Sequence, residues 1–200
     1  MLAFVPGLLT GLSLIIAIGA QNAFVIRQGL TKQHVFLVVA ICAVSDALAI
    51  VLGVSGLGAI IQGLPWLLEI IRWFGVAYLT WFGIKSVRSA FQTQSLDADG
   101  VQSGTATKAA LTVLGVTWLN PHFYLDTVIL LGSIGNQFGP DKWWFAAGGI
   151  LGSFLWFFSI GFGAKAASGL MKKPSFWKIL DIVIAIVMFS IAILLALYKF

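Results

Sequence analysis

The stretch from Val35 to Gln62, VFLVVAICAVSDALAIVLGVSGLGAIIQ, decides the class of fold, because it is apolar almost throughout and carries a single charged residue, Asp46. The hydrocarbon core of a membrane is about 30 Å thick, and roughly 20 apolar residues at about 1.5 Å each cross it as a helix. This stretch is long enough to do so. We therefore predict a transmembrane helix here, with a carboxylic acid inside it.

Runs of similar length and character recur along the whole chain. The sequence is 60% hydrophobic and only 10% charged, whereas a soluble domain has about 25% charged residues. This composition leaves too little polar surface for a water-soluble globule. We therefore predict an all-α membrane protein with about six transmembrane helices, and the predicted spans cover residues 2–26, 35–62, 66–88, 109–133, 143–165 and 176–198.

One polar stretch, residues 89–108 (SAFQTQSLDADGVQSGTATK), interrupts the apolar runs and has no hydrophobic periodicity. It divides the predicted spans into three before it and three after it, which is typical of a linker. We predict a first three-helix repeat over residues 1–88, a cytoplasmic linker over 89–108 and a second three-helix repeat over 109–200.

The basic residues indicate an orientation. They lie singly or in pairs between apolar runs, which favours topology signals over a nucleic-acid site. Connections on one side of the predicted spans hold nine of the twelve, namely Arg27, Lys32, Lys85, Arg88, Lys108, Lys165, Lys172, Lys173 and Lys178. The positive-inside rule makes that side cytoplasmic, so six spans in the inner membrane place both termini outside. The two halves then have opposite orientations, as in the inverted repeats of secondary transporters.

Three carboxylates fall inside predicted spans: Asp46, Asp126 and Asp181. A charged group at the centre of a membrane helix costs about 2.5 to 3.5 kcal/mol on insertion scales, so each implies a partner or a function. No Lys or Arg lies in the middle of a predicted span to pair with them. We interpret Asp46 and Asp126 as lining a polar cavity that accepts a cation or a proton. The alternative is a protonated group bonded to a nearby hydroxyl such as Ser45 or Thr127.

Asp181 lies a few residues after Trp177 and Lys178, near a predicted membrane interface. Water at the interface can hydrate a carboxylate there, so the favoured interpretation of Asp181 is a structural anchor.

The sequence Asn120-Pro121-His122 predicts a broken helix in the fourth span. Proline removes a backbone donor and clashes with the preceding turn, which frees carbonyls about four residues upstream. Irregular backbone is tolerated in lipid only where it meets protein or a water-filled cavity. Gln21-Asn22 occupies the matching place in the first half. A plain proline kink is the alternative.

Other site chemistry finds no support in the sequence. His34 and His122 lie in different segments without a second ligand at metal-site spacing. Cys42 is the only cysteine, and neither a phosphate-binding loop nor a nucleophile motif is present. We predict no metal, no cofactor, no ATP-driven transport and no enzymatic activity.

Four groups of motif residues are spread over nearly the full length of the chain. They are Gly19-Ala20-Gln21-Asn22-Ala23-Phe24-Val25 with Arg27-Gln28-Gly29, Ser45-Asp46, Gly75-Val76-Ala77-Tyr78-Leu79, and Thr117-Trp118-Leu119-Asn120-Pro121-His122 with Tyr124-Leu125-Asp126. In this order they resemble the lysine/arginine exporter (LysE/ArgO) family.

The resemblance implies a small inner-membrane exporter of basic amino acids driven by the proton motive force. It also implies a functional role for the six positions that match the family's motifs, namely Gln21, Asn22, Asp46, Asn120, Pro121 and Asp126. The family often has Pro where this chain has Ala20, so the resemblance predicts a helix break more strongly in the second half than in the first.

The leading hypothesis is export of arginine or lysine by alternating access between the two halves. Asp46 and Asp126 attract the cation, amides and carbonyls near Asn22 and Asn120 orient it, and a vacated Asp46 takes up a proton from outside. One alternative is an exporter of neutral amino acids or another small solute, in which the carboxylates handle protons only. The other is a membrane-embedded enzyme that uses the two carboxylates as a pair. We further expect a homodimer, because only six short helices must shield a polar pathway from lipid.

Overall fold

The computed structural model describes residues 2–16, 19–57, 65–91, 104–167 and 174–197, and every regular element in these ranges is helical. In chain order the helices are α1 (Phe4–Ile15), α2 (Ala20–Thr31), α3 (Val35–Leu52), α4 (Pro65–Phe91), α5 (Ala106–Trp118), α6 (residues 121–136), α7 (Lys142–Ala166) and α8 (Pro174–Leu197). A π-helical turn, Gly53–Leu57, extends α3, and Gly139–Asp141 forms a 3-10 turn before α7. The all-α class predicted from the sequence is confirmed.

Three helical segments within the described residues are long and apolar enough to cross a membrane. They are Val35–Leu57, Gly139–Ala166 and Lys178–Leu197, and α1 with α2 makes a fourth if the bent pair is one span. These segments lie in the predicted second, fifth, sixth and first spans. Most of the predicted linker, the end of the second span, and Lys172 and Lys173 fall outside the described residues.

The first predicted span is not one straight helix. Helix α1 ends at Ile15, α2 begins at Ala20, and the two axes differ by 81°. Gly19 precedes α2 in an extended conformation (φ −120°, ψ 179°). Asn22 Nδ2 donates a hydrogen bond to the carbonyl oxygen of Ile15 (2.9 Å), a backbone group left over at the end of α1. A break therefore forms in the first half although Ala20 replaces the family's frequent proline.

The fourth predicted span is also broken, as the sequence predicts. Helix α5 ends at Trp118, and Asn120 Oδ1 accepts a hydrogen bond from the backbone N–H of His122 (3.1 Å). Asn120 thus caps α6, and Pro121 takes its first position, where a missing N–H costs nothing. The alternative of a plain proline kink is wrong. Helix α6 runs through Pro121–Phe123, a π-helical stretch Tyr124–Leu130, and Leu131–Asn136.

Glycines bring α1 and α7 into close backbone contact. A Cβ atom added at Gly7 would overlap the carbonyl oxygen of Phe145, and one added at Gly148 would overlap that of Phe4. In lipid such close approach supplies the packing that the hydrophobic effect does not. Helices α2 and α3 also pack on α7. Helix α7 is therefore the central element of the described structure.

Helices α4 and α8 pack along each other, and Asp181 joins them to α2. Asp181 Oδ1 pairs with Arg27 Nη1 of α2 (3.1 Å), and its Oδ2 accepts a hydrogen bond from Ser89 Oγ of α4 (2.6 Å). The expectation that interfacial water satisfies Asp181 is wrong, because its side chain is only 3% exposed. A buried carboxylate needs a charged or donor partner, and packing brings Arg27 to it.

Candidate functional site

A cavity of about 290 Å³ lies where the two helix breaks meet. Six of the seven residues predicted for the site line it: Gln21, Asn22, Asp46, Asn120, His122 and Asp126. The seventh, Pro121, stands between two of them and begins α6. Small-molecule pockets in proteins run from about 300 to 1,000 Å³, so this cavity suits one small solute.

The rest of the described lining is mostly apolar. Leu14 and Ile15 come from α1, Phe123 from α6, Phe157 from α7 and Ile191 from α8, with Thr127, Leu131, Gly19 and Ala20 completing the wall. Apolar walls exclude water and lower the local dielectric constant, which strengthens the attraction between a carboxylate and a cation. None of the described lining residues is Lys or Arg.

Asp46 enters the cavity from α3 and is almost completely buried, with 2% of its surface exposed. Its Oδ2 atom accepts a hydrogen bond from Ser153 Oγ of α7 (2.8 Å), and the side chain of Gln21 lies beside it. The sequence suggested Ser45 as its partner. Ser45 instead accepts a hydrogen bond from Trp118 Nε1 (3.1 Å), because it points to α5 rather than into the cavity.

Asp126 enters the cavity from α6 and is half-buried. Neither of its oxygens accepts a hydrogen bond from the part of the chain that the structure describes, so the suggested bond to Thr127 is absent there. His122, one turn earlier on the same helix, is close enough to interact with it electrostatically. The Asp126 carboxylate is therefore open to the cavity, whereas one oxygen of Asp46 is already engaged.

The asparagine amides hold the two breaks together. Asn22 links the end of α1 to α7, because its Oδ1 also accepts a hydrogen bond from Trp156 Nε1 (3.2 Å). Asn120 caps α6. Gln21 differs from both: its Nε2 atom is buried and has no hydrogen-bond partner among the described residues.

Two of the carbonyls next to the break before Pro121 accept hydrogen bonds within the chain. The carbonyl oxygen of Trp118 accepts a hydrogen bond from Tyr124 Oη (2.9 Å), and that of Thr117 accepts one from the backbone N–H of Asn120 (3.3 Å). The expectation that carbonyls upstream of the break are left for a ligand is wrong for these two. Buried polar groups in lipid are paired wherever a donor can reach them.

The described residues hold no group of three or more His, Cys, Asp and Glu side chains that could bind a metal ion.

Residues 12–199 match the family described as the LysE type translocator. The chain belongs to the LysE type translocator family. The arginine exporter protein ArgO of Klebsiella pneumoniae (strain 342) is 42% identical over 197 residues, which cover 96% of this chain and 92% of that protein. ArgO of Escherichia coli (strain K12) is 38% identical over 195 residues, with the same two coverages. No solved structure matches the chain.

The family resemblance predicted from the four motifs is thereby confirmed. This LysE type translocator is a transporter and not an enzyme, and its apolar helices fit a multi-pass protein of the inner membrane.

Two residues that contact the site in this LysE type translocator were not predicted from the sequence. Ser153 and Trp156 lie one turn apart on α7 and bond to Asp46 and Asn22. A serine inside an apolar helix is a weak signal, because it often bonds only to its own backbone or to a neighbouring helix. The tryptophan is equally weak, because it lies among phenylalanines in an apolar run.

Proposed function

We propose that this translocator exports a small cationic amino acid, arginine or lysine, from the cytoplasm. The observation that carries the proposal is that Asp46 and Asp126 line one small cavity with no Lys or Arg in its described lining. Two carboxylates in an apolar setting favour a ligand that brings positive charge. The relatives' name, arginine exporter, supports the same substrate class.

The cavity has groups for both ends of an amino acid. The substrate's guanidinium or ammonium group would bind Asp126 and the free oxygen of Asp46, and hydrogen bonds to charged groups contribute about 1.5 to 3 kcal/mol each. The substrate's carboxylate would lie at the start of α2, where Gln21 carries its uncommitted amide. Helix N-termini at broken helices take this role in other transporters.

We also propose that residues 1–88 and 109–200 are inverted repeats joined by the linker 89–108. Exchanging the halves would map α1 and α2 onto α5 and α6, α3 onto α7, and α4 onto α8. The packing fits this exchange: α1 and α2 pack on α7 just as α5 and α6 pack on α3, while α4 packs on α8 and α3 on α7.

Glycines make both of the exchanged contacts. Gly7 on α1 meets α7, and Gly132 on α6 meets Gly53 at the end of α3, where an added Cβ would overlap the opposite backbone. The two helix breaks also occupy equivalent positions and line the same cavity. These features support two repeats of three spans each, and the distribution of Lys and Arg favours both termini outside.

Alternating access at this site would couple arginine to the proton motive force. A vacated Asp46 would take up a proton from outside and release it when substrate arrives from inside. The proposal includes a homodimer, which light scattering in detergent would test.

Efflux of radiolabelled arginine and lysine from dipeptide-loaded cells tests the proposal. We expect the native chain to speed efflux, and Asp46→Asn at matched membrane abundance not to. Asp141→Asn makes the same chemical change outside the described cavity lining and serves as the control, with native efflux expected. Efflux equal to that of empty cells would refute the cationic substrate.

The apolar part of the wall, Phe157 and Ile191 included, favours a second candidate, an exporter of neutral amino acids. Such a substrate would leave both carboxylates without a countercharge. Efflux of labelled leucine separates the two candidates: the native chain would speed leucine efflux under the second candidate and would not under the first.

A further inference from the structure

Helix α7 carries two donors, one turn apart, that reach two of the proposed binding residues in the other half of the chain. Ser153 Oγ donates to Asp46 Oδ2 (2.8 Å) and Trp156 Nε1 donates to Asn22 Oδ1 (3.2 Å). Neither Ser153 nor Trp156 belongs to the described lining of the cavity. They therefore touch the site only through the side chains that they hold.

We propose that Ser153 and Trp156 are positioning residues, which hold Asp46 and Asn22 in the orientation that binds the substrate. This inference rests on the proposed function of the cavity. Ser153 contributes more to this positioning than Trp156 does, because its partner is the carboxylate that binds the substrate cation.

The bond from Ser153 fixes which oxygen of Asp46 serves the ligand. With Oδ2 engaged, Oδ1 is the oxygen left for a cation in the cavity. Asp126, which has no such bond within the described residues, keeps both oxygens and can accept a fork of two N–H groups from a guanidinium. The two carboxylates then bind the substrate cation differently: Asp46 makes a single contact and Asp126 makes a bidentate one.

Without Ser153, Asp46 has another donor beside it. The Nε2 atom of Gln21 is buried without a hydrogen-bond partner among the described residues, and its side chain lies next to Asp46. A released Asp46 would turn towards Gln21, which removes both side chains from the substrate. Only the fraction of molecules in the competent orientation binds, so the apparent affinity falls by that fraction.

The donors stand on a rigid helix. Gly152 directly precedes Ser153, and a Cβ at Gly152 would lie 3.2 Å from the carbonyl oxygen of Leu8 on α1. Ser153 itself is completely buried, with 0% exposure. A group that must hold a binding side chain in one geometry needs this kind of support.

A purely structural role is the competing explanation, because serine and tryptophan also join helices in lipid. The two roles differ in what they change. A structural bond alters how much folded protein the membrane holds, whereas a positioning bond alters the KM for arginine in the molecules that are folded.

Counterflow of labelled arginine in liposomes containing the purified, full-length protein tests the proposal. We expect Ser153→Ala to raise the KM at least about tenfold, which corresponds to about 1.4 kcal/mol, with a much smaller change in the maximal rate, because hydrogen bonds to charged groups are among the stronger ones. Ser153→Cys keeps the shape but offers only a weak donor, and we expect it to behave like Ser153→Ala. Ser159→Ala, the same substitution at an exposed position of α7, should retain the native KM.

Trp156→Phe keeps an aromatic ring and removes the N–H donor. We expect a rise in KM of about three- to tenfold, and the native value for Trp144→Phe, which changes a tryptophan that is 43% exposed on the same helix.

The outcomes separate the two proposals. If the native protein shows no arginine counterflow, the proposed function fails. If the native protein is active and Ser153→Ala has the native KM, whatever its yield, the positioning role is overturned. A native KM for Ser153→Cys beside a raised KM for Ser153→Ala would also overturn it, because shape rather than hydrogen bonding would then be responsible.

Discussion

The ion pair between Arg27 and Asp181 should respond unequally to the loss of its two members. Asp181 is 3% exposed and Arg27 is 26% exposed. Arg27→Gln leaves a buried carboxylate without its cation. We therefore expect it to lower the free energy of unfolding by about 3 to 5 kcal/mol. Asp181→Asn leaves a guanidinium that can reach water, so the loss should be only about 1 to 2 kcal/mol, that of one charge-assisted bond.

Thermal unfolding in detergent measures this difference. For a chain of this size 1 kcal/mol corresponds to about 2 to 4 °C, so Arg27→Gln should lower the Tm by about 6 to 20 °C and Asp181→Asn by about 2 to 8 °C. The only cysteine, Cys42, is completely buried. A dye that fluoresces on reaction with thiols therefore reports unfolding without further engineering.

The double variant and a control complete the test. The pair Arg27→Gln with Asp181→Asn should be more stable than Arg27→Gln alone, because no buried charge remains. Arg88→Gln removes an exposed charge from α4 and should leave the Tm unchanged. Equal losses for the two single variants, or a larger loss for Asp181→Asn, would refute this account of the pair.

Two further predictions concern helix packing and the helix break. Gly148→Ala should lower the Tm by several degrees because its Cβ would overlap α1, whereas Gly163→Ala, on the same helix with open space around it, should not lower it. The same thiol-dye assay measures both, and a native Tm for Gly148→Ala would contradict the close contact. Asn120→Ala should cost about 0.5 to 2 kcal/mol through the lost cap of α6, and Asn120→Asp should retain most of that stability. Equal Tm values for these two variants would show that the cap contributes nothing.

Most of the site could be predicted from the sequence, because membrane helices tolerate few polar residues. The polar residues that stand out in apolar runs are Asp46, Asp126 and the Gln21-Asn22 pair. The free-energy cost of burying polar side chains in lipid predicts that they share a cavity. The break at Asn120-Pro121 was predictable for a similar reason, since proline carries its own backbone signal.

The partners of these residues could not be predicted. In the sequence, Ser153 cannot be told apart from other serines in apolar helices. The packing of α7 against α3 decides which hydroxyl reaches Asp46. The pairing of Arg27 with Asp181 depends likewise on contact between helices from opposite ends of the chain. The break before Ala20 was weakly signalled because Gly19 is one of 22 glycines, most of which have other roles.

The most direct test of the central claim is arginine binding to the purified native protein, measured by calorimetry beside citrulline. Citrulline has nearly the shape of arginine but a neutral urea group in place of the guanidinium, so it probes the charge alone. We expect arginine to bind, citrulline to bind at least about tenfold more weakly, and Asp126→Asn to abolish the preference. Equal binding of the two ligands by the native protein would contradict the claim that Asp46 and Asp126 select a cationic amino acid.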